Sequence, residues 1–226
     1  MTLKSRLAIR VVLVLPLLAA LMFVPAGSFR FWPGWIFVAV FAAFTFVFIV
    51  YFYRRDPRLI ERRLQNKEPR REQRHFQRLW SVLWTCTLVL PGLDFRFGWS
   101  ANLLGGVPEW LIAVSWVLVV IGWWWVFHVM RYNTFAATVV QVEAGQKVIS
   151  DGPYRLVRHP MYSGFVLMIL ATPFSLASYV AFVPAVLLIP VIVYRLLDEE
   201  HFLRQELSGY TEYCEHTRFR LIPSVF

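Results

Sequence analysis

Six apolar stretches, at residues 7–26, 32–53, 79–93, 110–130, 161–178 and 180–197, leave this chain few ways to fold. At a rise of about 1.5 Å per residue, the run 161–178 reaches roughly 27 Å as a helix, close to the roughly 30 Å of a hydrocarbon core. Hydrophobic residues make up 58% of the chain and the mean hydropathy is +0.54, outside the range of a soluble domain of this length. These runs predict an all-α, polytopic integral membrane protein with five or six transmembrane helices.

Basic residues orient the runs. Lys4, Arg6 and Arg10 precede the first one, as in a signal peptide. Its length, its lack of a small-x-small cleavage site and a second span after a short turn favour a retained helix. With six crossings and an inside N-terminus, only Arg30 and Arg96 fall outside, leaving 21 of the 23 Lys and Arg on the inner side. That bias places both termini in the cytoplasm. The net charge of +9 then reflects topology and contact with membrane lipids, and nucleic acid is not expected as a partner. Cys86 falls in a span and Cys214 in the tail, which gives neither a disulfide nor a metal-ligand spacing.

Two regions differ in character. Residues 1–130 form N-terminal transmembrane helices with a basic cytoplasmic loop at 54–78. Residues 131–226 hold a cytoplasmic loop, a helical hairpin at 161–197 and a cytoplasmic tail, and this is the expected catalytic region. Ala177-Ser178-Tyr179 suits only a tight turn, so the last two apolar runs should lie antiparallel with their cytoplasmic ends together.

Those ends carry the polar residues. Asp151-Gly152-Pro153-Tyr154 reads as a turn. Arg158-His159-Pro160-Met161-Tyr162-Ser163-Gly164 follows at the membrane boundary, with Pro160 suited to the first helical turn. His159 and Tyr162 would face similar directions at a helix N-terminus, which favours an anion. Arg195 and Glu199 lie one turn apart on the returning helix. Simpler readings exist for most of these residues. His159 could cap the helix, Tyr154 and Tyr162 could sit in an aromatic belt, and Arg155 and Arg158 are explained by inside-positive bias alone. The run Asp198-Glu199-Glu200 is harder to dismiss, because acidic groups at a helix C-terminus oppose both the macrodipole and the topology signal.

Gly152-Pro153-Tyr154, Arg158-His159-Pro160-x-Tyr162-x-Gly164, Glu199-Glu200 and a tail with Gly209, Tyr213 and Arg218 together resemble the isoprenylcysteine carboxyl and phospholipid methyltransferases, over roughly residues 131–223. The resemblance implies an integral membrane enzyme using S-adenosylmethionine, with no Rossmann domain and no metal. Consistently, no G-x-G-x-x-G follows a strand. It implies donor contacts at Gln146, Lys147, Val148, Ile149, Tyr154, His159, Pro160, Met161, Tyr162 and Glu200. It implies catalytic roles for Arg195, Glu199 and His159, with Arg195 as candidate for holding an acceptor carboxylate. Where those enzymes read His-x-Leu-Val before the turn, this chain has Gln146-Lys147-Val148-Ile149. The implied acceptor is lipophilic and enters from the bilayer of a bacterial or archaeal cell membrane. The implied activity is most like isoprenylcysteine carboxyl O-methylation, with phospholipid or small-amine N-methylation as the alternative. An NADPH-dependent membrane reductase and a non-enzymatic scaffold stay open as more distant readings. Oligomeric state is not legible.

Overall fold

The structure is a computed structural model that describes residues 3–64, 71–133 and 146–226. Nine α-helices form among the described residues: α1 (Leu3–Ala26), α2 (Trp32–Arg55), α3 (Pro57–Leu64), α4 (Arg71–Phe97), α5 (Trp99–Leu104), α6 (Glu109–Tyr132), α7 (Pro160–Ser175), α8 (Phe182–Glu206) and α9 (Tyr210–His216). Three of them, α1, α2 and α6, are 24 residues long with mean hydropathies of 2.7, 2.5 and 2.0 over their most apolar 18 residues. At about 36 Å each they are long enough to cross a bilayer. α4 and α8 are longer, at 27 and 25 residues, but each ends in charged turns at the end of the bundle that bears the His159 motif. α7 is a shorter apolar helix of 16 residues. The protein is a helical membrane protein. Val12, Leu13, Phe46, Val117 and Trp124 project outward, a surface that lipid rather than water suits.

Close helix crossings use glycine, because small residues let backbones approach where no hydrophobic difference drives association. α7 packs most extensively on α6. A Cβ on Gly122 of α6 would lie 3.1 Å from the Gly164 carbonyl oxygen of α7 and would overlap the Met168 side chain. In the same way a Cβ on Gly92 of α4 would lie 2.5 Å from the Met22 carbonyl oxygen of α1. The expected α7–α8 pair is present and antiparallel, with Phe174 on Phe182 at one end and Tyr162 bonded to Glu199 at the other. Each partner nonetheless makes its larger contact elsewhere, α7 with α6 and α8 with α4. The hairpin is therefore embedded in a four-helix packing rather than standing alone.

A buried polar node fixes the end opposite the motif. The Asp94 carboxylate of α4 accepts the Ser100 N–H at 2.7 Å, the Ser100 hydroxyl, and the Ser178 hydroxyl at 2.5 Å. Tyr179 N–H then donates to the Ser100 hydroxyl oxygen at 2.9 Å. Ala177, with φ of 57°, closes the turn. The α7–α8 turn is thereby tied to α4 and α5, so the register of α8 along α7 is set from this end. Within the basic stretch 54–78 the described residues other than Asp56 are helical, as the end of α2, α3 and the first turns of α4, with Leu59 and Ile60 fully buried against α2 and α6.

Candidate active site

The motif reaches its place through a turn and a backbone pairing. Gly152 adopts φ of +56°, and a Cβ there would meet the Tyr132 ring at the end of α6 at 2.5 Å, so only glycine fits. Residues 157–159 then run beside the tail. Arg158 N–H donates to the Phe219 carbonyl and His159 N–H to the Arg220 carbonyl, both at 2.9 Å. Pro160 opens α7, and His159 occupies its cap position without a side-chain capping bond. The imidazole turns instead toward α8. The capping explanation for His159 does not hold.

Glu200 is the hub. It lies beyond Leu197, the last residue of the apolar part of α8, on a half-turn that points back at α7. Its carboxylate, 5% exposed, lies 2.9 Å from Arg158 Nε, 3.3 Å from His159 Nε2 and 3.1 Å from Arg220 Nε. The Arg220 contact is a true hydrogen bond. Arg158 pairs by proximity, since its Nε–H is not aimed at an acceptor. Burial alone would raise the Glu200 carboxyl, but the His159 hydrogen bond and charge, with Arg158 and Arg220, outweigh it and hold the carboxyl below its ordinary value. Arg158 was expected to be a topology anchor. With a side chain 5% exposed and paired to a buried carboxylate, it is part of the site, whereas Arg155 is exposed and fits the anchoring role. In the tail, Arg220 rather than Arg218 meets Glu200, and Arg218 is exposed.

A second chain of polar contacts runs alongside. Arg195 Nε donates to the Tyr162 hydroxyl oxygen at 2.8 Å, and the Tyr162 hydroxyl donates to Glu199 Oε2 at 2.8 Å. Arg195 also lies over the Phe76 ring of α4, 4.7 Å from its centre. Arg195 and Glu199, one turn apart, are thus coupled through Tyr162 of the facing helix.

Tyr154 closes the third side. Asn133 Nδ2 donates to its hydroxyl at 2.7 Å, and Tyr213 donates its own hydroxyl to the Tyr154 carbonyl at 2.7 Å. Burial pushes the Tyr154 phenol up to about 12. Val148 packs with Leu207, Tyr210 and Tyr213 against this tyrosine. Gln146 and Ile149 are half-buried and Lys147 exposed in an extended segment, and Met161 is half-buried. The Tyr210 hydroxyl is buried with no hydrogen-bond partner among the described residues. Burial raises its pKa, and the Glu200 charge adds to the rise.

Sequence reading missed Asn133, Tyr210, Arg220 and Arg63. Arg63 of α3 donates from Nη2 to the Met161 Sδ at 3.0 Å. Burial lowers its pKa to about 10 while Tyr162 and Tyr154 oppose the shift. A weak signal for it existed, since Leu59, Ile60, Arg63 and Leu64 recur at helical spacing inside a stretch otherwise read as basic loop.

Apolar helices with a buried ion-pair hub and a tyrosine-bridged relay at one end define a polytopic membrane protein whose polar site is built on α7, α8 and the tail. Residues 110–208 match the model of the phospholipid methyltransferase family. A stretch of 78 residues is 31% identical to Protein-S-isoprenylcysteine O-methyltransferase B of Arabidopsis thaliana, covering 34% of this chain and 40% of that protein. Over this C-terminal region the chain is similar to the phospholipid methyltransferase family and to an isoprenylcysteine methyltransferase. It is also 28% identical over 90 residues to the Delta(14)-sterol reductase of Mus musculus, covering 38% of this chain and 22% of that protein. The chain spans less than half the length of these curated relatives.

Proposed function

We propose that the chain is an S-adenosylmethionine-dependent methyltransferase that binds its donor at the cytoplasmic end of the bundle and acts on a lipophilic acceptor, most like isoprenylcysteine carboxyl O-methylation. The observation that carries this reading is the return of Glu199 and Glu200 to His159 and Tyr162, beside a Tyr210 hydroxyl buried with no hydrogen-bond partner among the described residues. A buried hydroxyl without a partner costs about 1–3 kcal/mol, a cost that a bound polar molecule would remove. The residues suit this donor. Carboxylates and tyrosine faces are fit neighbours for its sulfonium and ammonium, and arginine or the α7 N-terminus for its carboxylate.

When bound, the donor supplies a methyl group whose S–C bond breaks as the bond to an acceptor oxygen forms, leaving a neutral thioether. The chain's own work is alignment and exclusion of water. Arg158, His159 and Arg220 fix Glu200, so the carboxylate is held before any ligand arrives. Tyr162 fixes Glu199 against Arg195 in the same way. An ionised carboxylate acceptor needs no general base, and the relay is suited to hold it through Arg195. An amine acceptor would need one, and His159 and Glu199 are the candidates. We infer the cytoplasmic orientation from the inner placement of 21 of the 23 Lys and Arg.

The match to a sterol reductase favours one second reading, a membrane reductase using a nicotinamide cofactor. Calorimetry in detergent separates the two. The methyltransferase reading requires heat of binding with S-adenosylhomocysteine and none with NADPH, and the converse result overturns it.

A further inference from the structure

Asp94 lies near the end of α4, at the end of the bundle opposite the His159 motif, and is 3% exposed. A buried ionisable side chain in a membrane bundle is costly and is kept where it meets a partner or faces a cavity. Three donors converge on this carboxylate, the Ser100 N–H and the hydroxyls of Ser100 and Ser178. Each hydroxyl also accepts a backbone N–H, Ser100 from Tyr179 at 2.9 Å and Ser178 from Ala181 at 3.2 Å, which leaves its own hydrogen for Asp94. A group that accepts from every neighbour and donates to none is bonded as an ionised carboxylate is. Neutral Asn and Ser side chains commonly tie turns, so the α7–α8 turn alone does not account for a charge here.

Among the described residues no Lys, Arg or His forms an ion pair with Asp94. Arg96 sets its guanidinium beside Gly27 and over the Phe97 ring, and Arg30 is exposed. The carboxylate instead lines a cavity of about 280 Å³ together with Phe31, Trp32, Phe95, Ser100 and Ala101. Phe31 and Phe95 meet with ring centres 5.3 Å apart, while Trp32, Phe95 and Ala101 are exposed and form its open side. Aromatic rings beside a carboxylate attract an organic ammonium through the ring quadrupole and the charge together. A divalent metal needs more ligands than one carboxylate, and no group of three or more His, Cys, Asp or Glu lies together among the described residues.

We propose that this cavity binds an organic ammonium, Asp94 supplying the counter-charge and Phe31, Trp32 and Phe95 the aromatic walls. The site is independent of the methyl-transfer reading and lies at the other end of the bundle. Its occupant is the amine or choline head of a lipid in the leaflet at this end, or a small free ammonium.

The test is calorimetry on the full chain in dodecyl maltoside with choline, ethanolamine, neohexanol and acetate. Choline or ethanolamine should bind at least tenfold more tightly than neohexanol, which copies the shape of choline without its charge, and acetate should give no heat. Asp94→Asn should erase that preference, and Trp32→Ala should weaken choline binding several-fold. Should Asp94→Asn fail to fold, Ala101→Trp, which fills the cavity from its open side, should abolish binding with Tm retained. Saturating S-adenosylhomocysteine should leave the choline heat unchanged. A higher Tm in phosphatidylcholine than in phosphatidylglycerol vesicles, lost in Asp94→Asn, would identify a lipid head as the source, and an equal Tm would identify a free ammonium. The proposal is overturned by equal binding of choline and neohexanol, by no heat with either ammonium, or by choline heat that survives both Asp94→Asn and Ala101→Trp. Loss of the choline heat with S-adenosylhomocysteine overturns it too, by moving the ammonium to the Glu200 end.

Discussion

Replacing Tyr210 by phenylalanine should change stability and ligand binding in opposite directions. The Tyr210 hydroxyl is buried with no hydrogen-bond partner among the described residues, and a buried hydroxyl left unpaired costs about 1–3 kcal/mol of desolvation. Phenylalanine keeps the ring packed against Tyr213 and Leu207 and removes only the oxygen. The ligand-free variant should gain about 1 kcal/mol, a rise of roughly 2–4 °C in Tm for a chain of this size. If the hydroxyl meets the donor, the variant loses one hydrogen bond to it, about 1 kcal/mol and therefore about a fivefold weaker Kd. Differential scanning fluorimetry in detergent reads the first effect and calorimetry with S-adenosylhomocysteine the second. A lower ligand-free Tm would refute the premise by showing that the hydroxyl is already paired, and an unchanged Kd would remove Tyr210 from the donor site.

Two further variants and one control probe the scaffold. Glu200→Gln leaves Arg158 buried without its counter-charge and should cost about 3 kcal/mol and abolish donor binding, while Arg78→Gln, exposed on α4, should change neither. The Glu200 carboxyl is held below its ordinary value near 4.5, so its stabilisation is complete above that pH and is lost as pH falls through the folded value. A Tm series in acid should show the wild-type advantage over Glu200→Gln shrinking there, and a constant difference down to strongly acidic pH would contradict the assignment. Gly122→Ala should cost about 1–3 kcal/mol by overpacking against Gly164 and Met168, seen as a lower Tm. An unchanged Tm would mean that the α6–α7 contact can relax.

The helices were legible because apolar runs of membrane length admit little else. Glu199 and Glu200 could be paired with His159 and Tyr162 across some forty residues because the turn at 177–179 is too short for any other return. Arg158 was misread for a physical reason, since a basic residue at a membrane boundary looks the same in sequence whether it anchors the helix or neutralises a buried carboxylate. The choice between Arg218 and Arg220 depends on a register that only the backbone bonds at 158–159 and 219–220 establish. Arg63 was absorbed into topology because ten basic residues between 54 and 78 mask any single one. The unpaired Tyr210 hydroxyl among the described residues has no sequence signal, because whether a tyrosine finds a partner is decided by its neighbours in space.

The pairing of residues 158–159 with 219–220 separates inheritance from assembly. The family match ends at residue 208, yet the segment that holds His159 in line, and the arginine that completes the Glu200 hub, come from the residues after it. A fragment cut at the homology boundary would retain His159, Tyr162, Glu199 and Glu200 and lose the clamp that shapes them. Engineering of this chain should therefore treat the last turns of the tail as part of the candidate site, and place affinity tags at the other terminus.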